Sequence, residues 1–297
     1  MEILVFGAGS LGSLLGGLLA RDHAVTLVGR DPHVAAIRED GLRITGAVDR
    51  PVRPAAVTAV ADAQSPDLAV VTVKSFDTSQ AARALESVDP DATLSVQNGM
   101  GNEATLAEYL SSPVLAGTTT FGARLRDPGV VACTGRGAVT VGPHADAPLA
   151  AAERAGSAFR SAGVEADVVA DPRPHLWEKL AVNAGINPVT ALARVRNGAL
   201  LGAPAAGIAT AAATETAAVA REHGIDLSAE RARVAVREVA ETTARNRSSM
   251  LVDVAAGRRT EIDAINGFVL DRADRAVPVN ETLTGLVRAW EAGEALR

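Results

Sequence analysis

The stretch Ile3-Leu4-Val5-Phe6-Gly7-Ala8-Gly9-Ser10-Leu11-Gly12 decides the fold of the first half of the chain. Its four apolar residues predict a buried strand, and the leucines that follow the glycines predict the apolar face of a helix. The glycines have the spacing G-x-G-x-x-G in the strand-turn-helix setting in which it binds a dinucleotide. The first permits the tight turn, the second lets the backbone approach a pyrophosphate, and the third lets the helix pack on the sheet. We therefore predict a Rossmann-type domain whose cofactor-binding loop is formed by Gly7, Ala8, Gly9, Ser10, Leu11 and Gly12.

The residue that follows the second predicted strand, residues 24–28, indicates which dinucleotide is bound. NAD-binding proteins usually place an acid there, because it accepts a hydrogen bond from the ribose hydroxyl. The first charged residue in this chain is Arg30, and a guanidinium suits a 2′-phosphate. NADP is therefore the favoured cofactor, and Asp31, the next residue, keeps NAD open as the alternative.

Two more polar residues follow predicted strands of the same sheet. Lys74 follows the strand at 67–73, and Asn98 follows the strand at 92–96. In an open α/β sheet, ligands bind beyond the carboxyl ends of the strands, so we expect both side chains near the cofactor or the substrate. The alternatives are a loop lysine at the start of a helix and an Asn-Gly turn.

The predicted domain boundary lies at residues 171–174, where two prolines bracket an arginine. Before it we predict a hairpin around Asp127-Pro128-Gly129, a helix at 148–162 and a strand at 166–169. Beyond it the strand pattern stops, and helices are predicted at 203–223, 228–245, 260–273 and 281–296. The fold class is therefore α/β: a dinucleotide-binding domain at 1–171 followed by an all-helical substrate and catalytic domain at 172–297.

Three polar residues recur at helical spacing just after this boundary. Lys179, Asn183 and Asn187 stand at i, i+4 and i+8, which places them on one face of a helix. Only two of the 29 basic residues other than histidine are lysines, Lys74 and Lys179, so these two positions favour a role that arginine cannot fill. An ammonium can give up its proton near neutral pH when it is buried, whereas a guanidinium cannot. We therefore predict that Lys179 is a general acid in a polar pocket; the alternative is a solvated lysine.

Composition excludes several other classes of function. The net charge of −6 and the absence of a basic run argue against a nucleic-acid partner, and no apolar run reaches the length of a membrane span. Cys133 is the single cysteine, so neither an intrachain disulfide nor a multi-cysteine metal site is expected. We expect a cytoplasmic protein that acts on a small molecule, and an apolar helical domain permits a homodimer.

Motifs spread over nearly the whole chain together resemble the ketopantoate reductase (2-dehydropantoate 2-reductase) family. They are Gly7 to Gly12, Lys74, Gln97-Asn98-Gly99-Met100-Gly101, Gly117-Thr118-Thr119-Thr120, Leu176-Trp177-Glu178-Lys179-Leu180-Ala181-Val182-Asn183, Ile186-Asn187-Pro188, Arg196-Asn197-Gly198, Ser248-Ser249-Met250 and Thr260-Glu261-Ile262-Asp263. The resemblance implies reduction of a 2-oxo acid, 2-dehydropantoate, by NADPH on the route to pantothenate and coenzyme A.

The resemblance also implies roles for individual residues. Lys179 matches the general acid, and Glu261 matches a carboxylate that orients the site, although from its sequence position alone Glu261 reads as an acid that complements a helix dipole. Arg30 matches a residue that binds the 2′-phosphate, and Lys74 matches a position near the nicotinamide. Substrate contacts are implied for Asn98, Asn183, Asn187, Asn197 and Ser249, with Asn98 also near the cofactor. Ser248 is the alternative to Ser249.

Two other functions fit parts of this pattern. A related reductase would keep the same fold and acid and act on another 2-oxo acid or on a secondary-metabolite ketone. A non-catalytic NADP-binding regulator would keep the glycine loop but would not need Lys179 or the asparagines that share its helix face.

Overall fold

The computed structural model describes all residues from Met1 to Arg297, and the chain divides into two compact units. One unit comprises Met1–Gln97 and Asn102–Pro172. The other comprises Arg173–Arg297 together with the short segment Asn98–Gly101. The predicted fold class, a dinucleotide-binding α/β domain followed by an all-helical domain, is confirmed.

The N-terminal unit is built on an eight-stranded sheet with the strand order β12-β11-β8-β7-β6-β1-β2-β5. Its strands are β1 (Glu2–Phe6), β2 (Ala24–Val28), β5 (Ala55–Val57), β6 (Leu68–Val71), β7 (Thr93–Ser95), β8 (Val114–Thr119), β11 (Ala138–Pro143) and β12 (Glu165–Val168). Neighbouring strands are parallel except for β8 and β11, which pair antiparallel.

A smaller sheet and five helices complete this unit. The sheet has the order β4-β3-β10-β9, with β3 (Leu42–Gly46), β4 (Arg50–Val52), β9 (Gly122–Asp127) and β10 (Val130–Gly135). The predicted hairpin around Pro128 is confirmed, because β9 and β10 pair antiparallel on either side of it. The helices are α1 (Ser10–Leu19), α2 (His33–Asp40), α3 (Thr78–Glu86), α4 (Asn102–Ala107) and α5 (Leu149–Ser161).

The central strands are apolar on both faces because both faces are covered. Ile3 and Val5 of β1 point into one hydrophobic cluster and Leu4 into another, and all three are at most 2% exposed. This burial on alternate sides is typical of a parallel sheet with helices on each face. It leaves the loops at the ends of the strands as the places where polar side chains meet a ligand.

The C-terminal unit contains six α-helices around a single hydrophobic cluster. They are α6 (Arg173–Ala193), α7 (Ala205–Glu222), α8 (Ala229–Thr242), α9 (Ser249–Ala255), α10 (Phe268–Arg272) and α11 (Pro278–Gly293). Small residues let the first two pack closely: a Cβ added at Gly185 of α6 would lie 2.6 Å from the carbonyl oxygen of Ala209 of α7. None of these helices combines the length and the apolar character that crossing a membrane requires.

One predicted helix has a different form in the structure. The pattern at 260–273 predicts a regular α-helix, but the segment begins with a π-helical turn, Asp263–Gly267, and only then continues as α10. Gly267 N donates to Ile262 O, five residues back, at 2.9 Å. Such turns often occur at functional sites, and this one begins two residues after Glu261.

Candidate active site

The glycine loop after β1 has the geometry of a phosphate-binding turn. Gly7 has φ +112°, and a Cβ there would lie 2.8 Å from Val73 N, so this position requires glycine. A Cβ on Gly12 would lie 2.2 Å from Gly7 O, so the close packing of α1 requires glycine as well. Gly9 differs, because the nearest atom to its added Cβ is 4.0 Å away. Protein packing therefore does not require Gly9, whereas the close approach of a pyrophosphate does.

The start of α1 is also suited to an anion. No side chain caps this helix, and its first intrahelical bond runs from Ser13 N to Gly9 O at 2.9 Å. The backbone N–H groups of the first turn and the positive end of the helix dipole lie at this point. The residues present therefore fit the diphosphate of a dinucleotide cofactor.

Arg30 and Asp31 are engaged differently. Asp31 Oδ1 accepts a hydrogen bond from Ala35 N in the first turn of α2, at 3.1 Å. Its carboxylate therefore supports the helix, which weakens the alternative in which it binds a ribose hydroxyl. Arg30 is exposed at the end of β2, where its guanidinium is accessible to a 2′-phosphate.

His33 joins three elements next to this loop. Its Nδ1 accepts from Gly129 N at 3.0 Å, so its Nε2 carries the proton and donates to Ser13 Oγ at 2.9 Å. Burial lowers the pKa of His33 from the usual value of 6.5, because the surroundings disfavour the charged ring. The neutral ring thus ties the start of α2 to α1 and to the turn between β9 and β10.

Lys74 is half-buried and directly precedes a 3₁₀ turn, Ser75–Asp77, after β6. Gln97 supports this loop from the neighbouring strand end, because its Nε2 donates to Val73 O at 3.1 Å and to Thr78 Oγ1 at 2.8 Å. This supporting role of Gln97 is not predicted from the sequence. Its position one residue before Asn98, at the end of a buried strand, is the signal that points to it.

The three polar residues at helical spacing, Lys179, Asn183 and Asn187, form a polar stripe on α6, as their spacing predicts. Lys179 and Asn183 are half-buried, and Asn187 is 5% exposed. With a rise of about 1.5 Å per residue, each lies about 6 Å along the axis from the next. The opposite face of the helix enters the hydrophobic cluster through Trp177 and Leu180. The helix is therefore fixed by its apolar side while its polar side carries one cation and two carboxamides.

Glu261 is 5% exposed and stands on a segment held by a second buried acid. Glu291 of α11 is fully buried, and its Oε1 accepts from both Thr260 N and Thr260 Oγ1, at 2.7 and 2.6 Å. Its other oxygen lies 2.6 Å from Arg297 Nε, which is an ion-pair distance without hydrogen-bond geometry. These contacts fix the residue that directly precedes Glu261.

The residues after Glu261 are fixed as well. Asp263 accepts from Arg288 Nε at 2.8 Å and from Arg297 Nη2 at 2.7 Å. Burial acts to raise the pKa of Asp263, but the hydrogen bonds from the two arginines outweigh it and hold the pKa below the usual range. Asp263 therefore serves as an anion that anchors the π-helical turn, while Glu261 lies between two anchored neighbours.

The loop that carries Asn98 belongs to the same unit as Lys179 and Glu261. Gly99 has φ +80°, and a Cβ there would lie 2.7 Å from Ala264 O. Met100 N donates to that same oxygen at 2.9 Å. The loop is thus packed against the π-helical turn, so Asn98 stands in the unit that carries the other proposed substrate-binding residues.

The remaining two predicted substrate contacts have distinct surroundings. Asn197 is 6% exposed; its Nδ2 donates to Thr243 Oγ1 at 2.8 Å, while its Oδ1 is buried without a hydrogen-bond partner. Ser248 is buried and caps α9, because its Oγ accepts from Leu251 N at 3.0 Å. Ser249 is exposed. Of the two serines, Ser248 thus has a structural task and Ser249 has an accessible hydroxyl.

Glu291 and Asn266 contribute to this region and were not predicted. Glu291 continues the buried face of α11 from Leu283 and Val287 at spacings of four, and an acid in such an apolar series is a signal for a buried partner. Asn266 donates through Nδ2 to Ala184 O of α6 at 3.1 Å. Its signal is Pro188, which leaves the carbonyl four residues before it without a helical donor.

The fold and the two groups of residues define a class of protein. One domain has a glycine loop suited to a dinucleotide, and the helical domain carries a half-buried lysine, a buried glutamate and several carboxamides. This combination is typical of a nicotinamide-nucleotide-dependent oxidoreductase.

Comparisons with known proteins place the chain within that class. Residues 3–146 match the family described as ketopantoate reductase PanE/ApbA, and residues 171–291 match its C-terminal region. The chain is 45% identical to the 2-dehydropantoate 2-reductase of Halobacterium salinarum, over 97% of this chain and 98% of that one. It is 39% identical to the 2-dehydropantoate 2-reductase of Archaeoglobus fulgidus, over 98% of each chain. The chain belongs to the ketopantoate reductase family.

Solved structures give the same result for the fold. A ketopantoate reductase of this family from Ralstonia eutropha has a TM-score of 0.90 at 34% identity, over 99% of this chain and 100% of that one. A D-mandelate dehydrogenase in complex with NADH and anilino(oxo)acetate has a TM-score of 0.92 at 25% identity, over the whole of both chains.

Proposed function

We propose that this protein reduces the ketone of 2-dehydropantoate to the alcohol of (R)-pantoate, with NADPH as the cofactor, on the route to pantothenate and coenzyme A. The observation that carries the proposal is that one unit contains Lys179, Glu261 and the predicted substrate-binding residues, while the other contains a glycine loop that fits a dinucleotide. The identity to 2-dehydropantoate 2-reductases over nearly the full length supports the choice of substrate.

Lys179 is the proposed proton donor. NADPH, when bound, supplies a hydride to the ketone carbon, and negative charge then develops on the ketone oxygen. The ammonium of Lys179 donates a hydrogen bond to that oxygen and transfers its proton as the alcohol forms. The half-buried position on α6 gives this ammonium fewer water competitors than an exposed lysine has.

Glu261 and the carboxamides orient the reacting groups in this proposal. Glu261 is buried and stands between two anchored residues, so its carboxyl group has a fixed position from which it orients Lys179. Asn98, Asn183 and Asn187 bind the carboxylate and hydroxyl oxygens of the substrate, with Asn197 and Ser249 as further contacts. Neutral amides suit this task because they bind oxygen atoms without competing with Lys179 as the acid.

A cofactor preference for NADPH follows from the end of β2. Arg30 is exposed and is proposed to bind the 2′-phosphate, and Lys74 is proposed to lie near the nicotinamide end. The use of Asp31 as a support for α2 favours this assignment over NADH.

A second candidate is a reductase of another 2-oxo acid. The likeness to a D-mandelate dehydrogenase solved with NADH and anilino(oxo)acetate favours it, because a 2-oxo acid with an aromatic substituent would place its carboxylate and ketone on the same polar groups. The residues proposed to recognise carboxylate and ketone do not distinguish the two candidates.

A substrate panel separates these functions. NADPH oxidation is followed at saturating cofactor with 2-dehydropantoate, phenylglyoxylate, pyruvate and 2-oxoisovalerate. The proposal expects kcat/KM to be highest for 2-dehydropantoate, by at least about tenfold, since the loss of a single recognition contact costs that much. A higher kcat/KM for phenylglyoxylate would establish the second candidate, and NADPH binding without turnover of any member would indicate a regulator.

We further propose that the protein acts in the cytoplasm on this small molecule and has no nucleic-acid partner, as its net charge of −6 supports. A homodimer would cover exposed apolar side chains such as Leu201 and Ile208 near the start of α7. Sedimentation velocity measurements test that assembly.

A further inference from the structure

A proline inside α6 leaves one backbone carbonyl without its helical donor. Pro188 lies within the helix and has no N–H, so the carbonyl of Ala184, four residues earlier, receives no intrahelical hydrogen bond from it. Ala184 is fully buried, so water cannot easily take the place of the missing donor. A buried carbonyl without a partner is costly, and such groups are nearly always satisfied by another part of the protein.

The donor comes from the segment that carries Glu261. Asn266 is fully buried in the π-helical turn, and its Nδ2 donates to Ala184 O at 3.1 Å and to Asn280 Oδ1 at 3.0 Å. Asn280 donates onward to Ala212 O at 3.0 Å and to Glu215 Oε2 at 2.8 Å. The chain of donors fixes the orientation of both amides, because each nitrogen faces an oxygen.

This hydrogen bond joins the two parts of the chain that carry the proposed acid and its carboxylate. Ala184 stands five residues after Lys179 and next to Asn183, and Asn266 stands five residues after Glu261. The same turn also receives the hydrogen bond from Met100 N in the loop that carries Asn98. The hydrogen bond from Asn266 Nδ2 to Ala184 O is therefore a bridge. It directly links the polar stripe of α6 with the turn against which the Asn98 loop packs.

We propose that Asn266 is a positioning residue that holds the Glu261 segment against the Lys179 helix through the carbonyl that Pro188 exposes. The proposal rests on the proposed function for its kinetic consequence, and its structural content is independent of the substrate. Proline supplies an acceptor that a regular helix would have used internally, and Asn266 uses it to connect two segments. Small displacements of catalytic groups are costly, so this link contributes to turnover as well as to stability.

The test separates the bridge from the satisfaction of the carbonyl. Asn266→Ala removes the bridge and leaves Ala184 O without its donor. Pro188→Ala returns an N–H to the helix, so the double variant Pro188→Ala/Asn266→Ala has a satisfied carbonyl but no bridge. Thr284→Val is the matched control, because it deletes a buried hydroxyl whose hydrogen bond, donated to Asn280 O at 2.8 Å, stays within α11.

Relative to the wild type, we expect Asn266→Ala to unfold at lower urea concentration and to lower kcat by at least about tenfold, with unchanged NADPH Kd. In the double variant, the urea midpoint recovers from its value in Asn266→Ala. The kcat of the double variant nevertheless stays below that of Pro188→Ala alone. Thr284→Val lowers the urea midpoint and keeps kcat. If kcat recovers together with stability in the double variant, or if Thr284→Val lowers kcat equally, Asn266 has only a structural role and the proposal is wrong.

A second measurement needs no turnover. Protein labelled with ¹³C-lysine contains two lysines, Lys74 and Lys179, and the variant Lys74→Arg assigns them. We expect the Cε signal of Lys179 to shift in Asn266→Ala and in the double variant, and to stay in place in Thr284→Val. An unmoved signal in Asn266→Ala would refute the proposal even if the wild type reduces 2-dehydropantoate. If the signal shifts in Asn266→Ala but the wild type does not reduce 2-dehydropantoate, only the proposed substrate is refuted.

Discussion

Glu291, a fully buried acid of α11, accepts two hydrogen bonds from Thr260, one from its backbone N–H at 2.7 Å and one from its hydroxyl at 2.6 Å. Thr260 is the residue that precedes Glu261. A buried carboxylate with specific donors is a fixed structural element. Here it fixes the position of the residue that directly precedes Glu261, the proposed catalytic carboxylate.

Replacing Glu291 by alanine is expected to lower the free energy of unfolding by about 2–4 kcal/mol, because two buried donors lose their acceptor. Urea denaturation measures the change. Glu294→Ala is the control: Glu294 is exposed at the end of the same helix, and its removal should change stability by no more than about 0.5 kcal/mol. Equal effects of the two substitutions would show that the Thr260 contacts are energetically unimportant.

Gly9 and Gly12 provide a matched pair in the cofactor loop. Gly9→Ala meets no protein atom closer than 4.0 Å, so stability should stay within about 0.5 kcal/mol while NADPH binding weakens by at least about tenfold. Gly12→Ala would place its Cβ 2.2 Å from Gly7 O and 2.4 Å from Thr72 Oγ1, so it should destabilise the fold by about 1–3 kcal/mol. Fluorescence titration with NADPH and urea denaturation measure both quantities. Normal NADPH affinity in Gly9→Ala would contradict the phosphate assignment.

Arg30→Ala tests the assignment of the 2′-phosphate. Loss of a charge-assisted contact of about 1.5–3 kcal/mol should raise the Kd for NADPH by about 10- to 100-fold and leave the Kd for NADH unchanged. Isothermal titration calorimetry with both cofactors measures the ratio. The control is Arg154→Ala, an exposed arginine that lines a surface cavity with Met1 and Asp67, next to the amino ends of the strands. An equal loss of affinity for NADH would assign Arg30 to another part of the cofactor.

His33 makes stability depend on pH. Burial lowers the pKa of His33 in the folded protein below the value of 6.5 that applies when it is unfolded, so the unfolded chain takes up the proton first. The contribution of the neutral ring is therefore fully present above pH 6.5 and is lost as the pH falls through the lowered pKa. Between pH 5 and 8, the urea midpoint should fall more steeply with decreasing pH in the wild type than in His33→Gln. The difference in slope should correspond to the uptake of about one additional proton on unfolding.

The comparison of the wild type with His33→Gln isolates the titration of His33. The pKa of His144 is also lowered by burial, but His144 is present in both proteins, so its contribution cancels in the comparison. If wild type and His33→Gln lose stability in parallel as the pH falls, the hydrogen bonds of His33 to Gly129 and Ser13 do not depend on its neutral form.

The features of the fold that were predictable are those governed by local patterns. The glycine spacing around Gly9 lies in its expected strand-turn-helix setting, and the hairpin at Pro128 forms where turn residues separate two strands. The stripe of Lys179, Asn183 and Asn187 is helical because the apolar residues between them share one buried face. These patterns depend on near neighbours in the sequence, so they can be read without tertiary information.

The features that were not predictable depend on residues far apart in the chain. The π-helical turn at 263–267 interrupts a pattern that reads as an ordinary helix, and it is held by Arg288 and by Asn280 of α11. The pairing of Glu291 with Thr260 spans 31 residues, and that of Asn266 with Ala184 spans 82. Short polar side chains such as Ser248 have several local uses, so sequence alone did not assign it to the cap of α9.

The most direct test of the account is the turnover of Lys179→Ala with saturating NADPH and 2-dehydropantoate, followed as the loss of NADPH absorbance. Since a positioned proton donor contributes about 10²- to 10⁴-fold, kcat should fall by at least about 10²-fold while the Kd for NADPH stays at the wild-type value. A variant that binds NADPH normally and turns over at close to the wild-type rate would contradict the assignment of Lys179 as the acid.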